Sequence, residues 1–152
     1  MTPALRIGPA RPRDAARLGR ILGDWVRETP WMPRLHSRVE DREHLANLIG
    51  RFEVLVARTW RGPRGFLVRD GEKVHAFHVM TAARGKGVGR SLMDTAKTRS
   101  PRLELWCFQQ NTRALAFYAR EGFAEAERTD GAGNDEKLPD VRLVWSREET
   151  AR

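Results

Sequence analysis

Val79-Met80-Thr81-Ala82-Ala83-Arg84-Gly85-Lys86-Gly87-Val88-Gly89-Arg90 is the stretch on which the reading of this chain turns. A β-type run from Lys73 to Met80 leads into it, and a helical pattern from about Gly87 to Thr98 leads out. Gly85, Gly87 and Gly89 alternate with other residues, so the backbone is bare and successive amides can converge on one anion. The helix that follows adds its unpaired N–H groups and its dipole at the same place. Arg84, Lys86 and Arg90 set three cations around it. On these physical grounds the turn is a phosphate cradle.

The spacing excludes two common nucleotide-binding patterns. A P-loop requires Gly-Lys-Ser/Thr preceded by another glycine five residues before the last one. Here Gly89-Arg90-Ser91 carries arginine for lysine, and Arg84 stands where the first glycine belongs. The dinucleotide fingerprint requires a glycine three residues after its second glycine. From Gly85 that position is Arg90, and from Gly87 it is Leu92. Neither pattern holds.

Upstream of the turn, Leu5-Arg6-Ile7 alternates as a short strand, and Pro12 opens a helical stretch. In that stretch Ala15, Leu18, Ile21, Leu22 and Trp25 recur at three- and four-residue spacing. Asp14 falls in its first turn, at the positive end of the helix dipole. Thr29-Pro30-Trp31-Met32-Pro33 breaks it, and a second helix is expected from about Glu40 to Gly50, burying Leu45, Leu48 and Ile49. Val54–Ala57 and Gly65–Val68 read as strands, the second ending at the turn Asp70-Gly71. Downstream come a strand at Leu103–Trp106, a helix from Asn111 to Arg120, a strand starting at Phe123 and a last one at Val141–Trp145. The order β-α-α-β-β-β-α-β-α-β-β describes an α/β (α+β) fold, a mixed sheet with helices on its faces.

Composition sets the outer limits. The 152 residues, 40% hydrophobic and 32% charged, suit one soluble domain over residues 1–152. No run of eighteen apolar residues exists to span a membrane, and Met1–Arg6 lacks the apolar stretch of a secretory signal. The single cysteine, Cys107, cannot form an internal disulfide, so a cytoplasmic location is expected. The net charge of +8 comes from 28 basic residues, of which only Lys73, Lys86, Lys97 and Lys137 are lysines. The arginines are scattered without the run of a nucleic-acid arm, so an anionic ligand, such as a phosphorylated cofactor, is expected ahead of DNA or RNA. The four histidines and Cys107 show no zinc spacing, and no metal is expected.

Arg84-Gly85-Lys86-Gly87-Val88-Gly89 resembles the coenzyme A pyrophosphate loop of the GCN5-related N-acetyltransferase superfamily, whose core is Arg/Gln-x-x-Gly-x-Gly/Ala. The family's preceding valine is present as Val79, and Thr81 replaces its usual proline. Asn111-Thr112-Arg113-Ala114-Leu115-Ala116-Phe117-Tyr118, followed by Gly122-Phe123, is similar to the family's second motif. The segment Asp130–Asp140 resembles a subgroup of these enzymes, without fixing a function.

The resemblance implies a mostly antiparallel sheet that splays between the strand ending at Val79 and the one beginning near Leu103. Acetyl-CoA is then the co-substrate, its pantetheine arm lying in the gap against backbone groups around Val79 and Thr81. The N–H of Val79 is expected to stabilise the oxyanion that forms when an amine attacks the thioester. Tyr118 is the candidate general acid for the departing thiolate. Asn111 is expected to cap its helix and to bond the pantetheine arm, and Phe117 to pack beside the cofactor. A primary amine with a pKa near ~10 must lose a proton before attack. Glu104, acting through water, is the candidate base, with His75 and His78 (on opposite faces of their strand by period two) and Glu136 as alternatives. The break between the first two helices is expected to cover the acceptor, with Trp31 and His36 in its wall. No acidic pocket of the kind a polycation needs is visible. The acceptor is therefore left as a small amine, an amino acid or a protein N-terminus, and the protein as a monomer or homodimer. The same fold can carry acyl-CoA binding without catalysis, and Tyr118 favours the enzyme.

Overall fold

Alternation of apolar residues along one short strand shows how the sheet divides the core. The fold is that of a computed structural model describing residues 4–150. In β2 (Glu53–Thr59), Val54 and Val56 face one side, and Leu55 and Ala57 face the other. The first side packs under α1 (Ala15–Glu28) and α2 (Arg38–Arg51) through Leu18, Ile21 and Leu45. The second packs against α3 (Val88–Arg99) and α4 (Thr112–Arg120) through Leu92, Met93 and Tyr118. With β1 (Arg6–Pro9), β3 (Gly62–Asp70), β4 (Lys73–Val79), β5 (Arg102–Phe108), β6 (Ala124–Thr129) and β7 (Asp140–Ser146), the strands form one sheet in the order β1-β2-β3-β4-β5-β7-β6. A short α5 (Arg147–Thr150) follows β7. The expected order of elements holds, with helices on both faces.

Every neighbouring pair is antiparallel except β4 and β5. Those two run parallel and pair only at Lys73 and Glu104, reinforced by the Glu104 N–H donating to the Glu72 carbonyl at 2.8 Å. Beyond that point they part toward Val79 and Phe108, which gives the sheet its splayed centre.

Two local details differ from expectation. The second helix starts at Arg38 instead of about Glu40, because Ser37 and Glu40 form a reciprocal capping box. The Glu40 N–H donates to Ser37 Oγ at 3.2 Å, and the Ser37 N–H donates to Glu40 Oε1 at 3.0 Å. Asp14 does more than meet a helix dipole. Arg58 of β2 grips its carboxylate with two bonds of 3.1 and 2.9 Å, and the Arg11 N–H adds a third at 2.8 Å. The Arg58 hydrogen bonds hold the Asp14 carboxyl below its ordinary pKa against the opposing effect of burial. Asp14→Ala leaves a half-buried guanidinium unpaired, and chemical denaturation should show a loss of about 3 kcal/mol. A loss below about 1 kcal/mol would mean the pair is solvated and weak.

Candidate active site

At the parted ends of β4 and β5 the structure holds a cleft of about 1090 Å³. The Met80 N–H donates to the Arg64 carbonyl of the β3 side at 2.9 Å. Backbone groups alternate along a strand, so Val79 turns its N–H the other way, into the gap facing β5. No strand residue pairs with β5 at that level. A backbone donor is thus directed into the cleft.

The glycine turn forms one end of the cleft. Gly85 and Gly87 take φ of 75° and 81°, and no atom lies within 4 Å of where a Cβ would stand on either. Gly87 is the N-cap of α3, and no side chain caps that helix. Its first amides are therefore left for an external anion. Val88 is buried in the core and anchors the helix, while Gly89 lets α3 approach the Phe77 ring, 3.2 Å from its would-be Cβ. Arg84 and Arg90 stand in the wall; Lys86 is exposed outside it. Thr81 does not line the cleft, and its hydroxyl donates to the Glu28 carboxylate, tying the turn to the end of α1.

The second motif forms the opposite wall. Asn111 caps α4, its Oδ1 accepting from the Ala114 N–H at 3.2 Å. Phe117 and Tyr118 enter the cleft nearly two turns after the cap. The Tyr118 ring packs against Phe77, Phe117 and Phe123, with centroids 6.1, 5.6 and 5.5 Å away. Burial, assisted by the neighbouring Cys107, raises the phenol's pKa well above its ordinary value. Tyr118 therefore keeps its proton at any working pH. Burial likewise pushes the Cys107 thiol up to about 12, which leaves it inert as a nucleophile.

Two expected residues are placed differently, and a third stands where it is expected. Glu104 stands at the closed end of the V, outside the cleft, paired with Arg142 at 3.3 Å and Arg102 at 3.6 Å. A carboxylate engaged there cannot serve as the base. Trp31 stands behind the wall, packed edge-on to Trp25 and Phe108 at 6.0 and 5.9 Å, so it buttresses the acceptor side. His36 does line the cleft, with Nδ1 3.5 Å from Glu40 Oε2.

His75 and His78 share one face of the sheet instead of two. A bulge opposite Val68 and Arg69 breaks the period-two alternation between them. His75 stacks on Phe52 at 4.7 Å, and His78 packs on Trp25 at 5.1 Å and Phe66 at 5.6 Å. Burial, then the Arg84 charge, pushes His78 down to about 4. It is neutral at pH 7 and too weak a base for an ammonium. Because the unfolded chain takes up this proton near pH ~6.5, the stability His78 contributes is complete above that pH. It is lost as pH falls toward about 4. Urea unfolding between pH 4.5 and 7.5 should lose up to about 3 kcal/mol from this source. His78→Phe should flatten that part of the profile, and an unaltered profile would assign it to other groups.

What the sequence did not reveal is that five carboxylates share the cleft wall with six arginines. Glu40, Asp41 and Glu43 of α2 and Asp135 and Glu136 of the β6–β7 loop line it together with Arg27, Arg34, Arg84, Arg90, Arg113 and Arg120, and Trp106 lines it as well. Among the described residues, no group of His, Cys, Asp and Glu is arranged to hold a metal, and no helix is long and apolar enough to cross a membrane.

This geometry has counterparts. A family profile described as an acetyltransferase (GNAT) domain matches residues 43–125. The peptidyl-lysine N-acetyltransferase YjaB of Salmonella typhimurium strain LT2 is 29% identical over 109 residues, 71% of this chain and 75% of that protein. Its namesake from Escherichia coli K12 is 34% identical over 83 residues, 55% of this chain and 56% of that protein. The solution structure of apo YjaB from Escherichia coli superposes with a TM-score of 0.78 at 25% identity, covering 93% of this chain and 97% of that one. The matched profile runs through the splayed strands, the glycine turn and the Asn111–Tyr118 helix, over more than half of the sequence, and the chain belongs to the GNAT family of acetyltransferases.

Proposed function

We propose that this cleft transfers an acetyl group from acetyl-CoA directly to a primary amine, and that the acceptor is a lysine side chain of a peptide or protein. The observation that carries the reading is a continuous path. An uncapped helix start with two open glycines leads along a gap between strands to a backbone N–H and a buried phenol.

The amides of the α3 N-terminus, with Arg84 and Arg90, would hold the pyrophosphate. Acetyl-CoA, as second substrate, supplies the acetyl group as a thioester. The Val79 N–H stabilises the negative charge that develops on the acetyl oxygen as nitrogen attacks. Tyr118 delivers its proton to the departing sulfur, and the proton shed by the attacking nitrogen restores the phenol; burial ensures that the hydroxyl carries its proton beforehand. Asn111 holds the first turn of α4, and so sets where Tyr118 stands. Glu43, Asp135 and Glu136 in the cleft wall can receive a cationic acceptor, and the relatives named for peptidyl-lysine acetylation support lysine over a small neutral amine.

Purified protein with acetyl-CoA and a panel of lysine peptides, N-terminal peptides and small amines tests the reading by release of free thiol. Acetyl-CoA should also raise the melting temperature by mass action. No shift with acetyl-CoA, alongside a shift with ATP or NAD, would overturn it. Thiol release with small amines alone would overturn the lysine assignment.

A further inference from the structure

The Asp130–Asp140 segment, which the catalytic path leaves unused, is a closed loop. The Asn134 side chain clasps Leu138 twice: Nδ2 donates to its carbonyl at 2.8 Å, and Oδ1 accepts from its N–H at 3.2 Å. Lys137 Nζ donates to the Ala132 carbonyl at 2.9 Å. Gln109, at the end of β5, donates to the Thr129 and Asp140 carbonyls at 3.2 and 3.0 Å and fastens the base of the loop to the cleft. Gly131 takes a φ of 84°, and the Leu138 backbone fills the place a Cβ would need. So tight a loop holds Asp135 and Glu136 in a fixed place.

Fourteen of the described acidic side chains form an ion pair or hydrogen bond with a described residue. Asp41, Glu43, Asp135, Glu136 and Glu148 do not. The first four line the cleft. Asp41 is only 7% exposed and accepts no hydrogen bond. Asp41 is flanked by Arg27 and Arg38, and Glu43 and Asp135 are exposed to water, so half-buried Glu136 is the carboxylate at this cavity whose charge no described cation offsets by contact.

A branch of about 470 Å³ opens off the cleft between the end of β5 and this loop. Trp106, Phe108, Asn134, Glu136 and Asp140 line it, and Trp106, Phe108 and Glu136 line the main cleft as well. The Asp140 carboxylate is taken up by Thr129 and Asn134, so Glu136 is the free anion of the branch. Trp106 is 48% exposed, and the chain's own cations stack elsewhere, on Phe52, Trp60 and Trp145. An open indole face beside an unpaired carboxylate is a receptor for an alkylammonium or guanidinium group.

We infer that this branch is a second cation subsite, in which Glu136 and Trp106 hold a basic side chain next to the lysine that receives the acetyl group. The inference rests on reading the cleft as the acetyl-transfer site. It makes the acceptor a peptide carrying at least two positive charges. The net charge of +8 repels such a peptide at long range, so the subsite acts at contact distance, through Glu136 and Trp106.

Two lysine peptides of equal length, with arginine or glutamine beside the lysine, test the subsite. Calorimetric binding in the presence of coenzyme A and KM in the transfer assay are the two readouts. The arginine peptide should bind about 10-fold more tightly and show the lower KM. Trp106→Ala and Glu136→Gln should each shrink that ratio toward one, while the acetyl-CoA melting shift reports that the variants are folded. Glu136→Lys should reverse the preference toward a peptide with glutamate beside the lysine. Equal affinity of the two peptides for the wild type, or a preference that survives both single variants, overturns the subsite. Failure of the underlying reading is distinct: no amine is turned over and acetyl-CoA gives no shift.

Discussion

Tyr118→Phe is expected to lower the acetyl-transfer rate by about 10²–10⁴-fold, the range for removal of a positioned general acid. The substitution deletes one oxygen and keeps the ring among Phe77, Phe117 and Phe123, so the packing of α4 on β4 is retained. Acetyl-CoA affinity should change little, because the proton matters mainly as charge builds on the leaving sulfur. The phenol's environment sharpens the prediction. Burial raises its pKa, so no ionised form competes and the acid should show no titration of its own up to the limit of protein stability. Single-turnover kinetics should therefore show a uniform loss across pH. An unchanged rate, with transfer confirmed as the slow step, would reduce Tyr118 to a packing residue.

The placement of Tyr118, Asn111 and the glycine turn around one cleft was legible because each depends on local order: strand, bare turn, helix start, then a helix with a capping asparagine. The misplaced residues depend on register instead. Glu104 is seven residues before Asn111, on the strand that leads to it, yet the V opens in that direction, so the carboxylate sits at the closed end. Its partner Arg142 lies on β7, and only strand pairing brings the two together. The His75–His78 relation failed because a bulge is invisible in a run of strand-forming residues. Two carboxylates of the cleft wall escaped for a third reason. Asp135 and Glu136 sit in a polar, glycine-rich stretch that looks like a solvated loop, and only the Asn134–Leu138 clasp and the Gln109 anchor turn it toward the cleft. Ser37 and Glu40 were readable as a capping box three residues apart, and the helix start was nonetheless set two residues late.

Gly87→Ala is expected to weaken acetyl-CoA binding by about 10²-fold, the worth of one or two charge-assisted amide–phosphate bonds. The added methyl meets no protein atom within 4 Å, so the fold has room for it. The same openness puts it in the path by which a pyrophosphate reaches the α3 amides. Backbone strain is the competing effect, since alanine at a φ of 81° costs roughly 1–2 kcal/mol. Gly71→Ala separates the two. Gly71 also has a positive φ, 59°, and open space around its Cβ, but it lies in the β3–β4 turn beside Lys73, at the far end of β4 from Val79. Both variants should lose similar stability in urea, and only Gly87→Ala should lose the acetyl-CoA melting shift. Gly89→Ala offers a third point, because its methyl would press on Phe77 at 3.2 Å and so should cost stability as well as binding. If Gly87→Ala and Gly71→Ala bind acetyl-CoA equally, the turn is a structural cap and the pyrophosphate is held elsewhere.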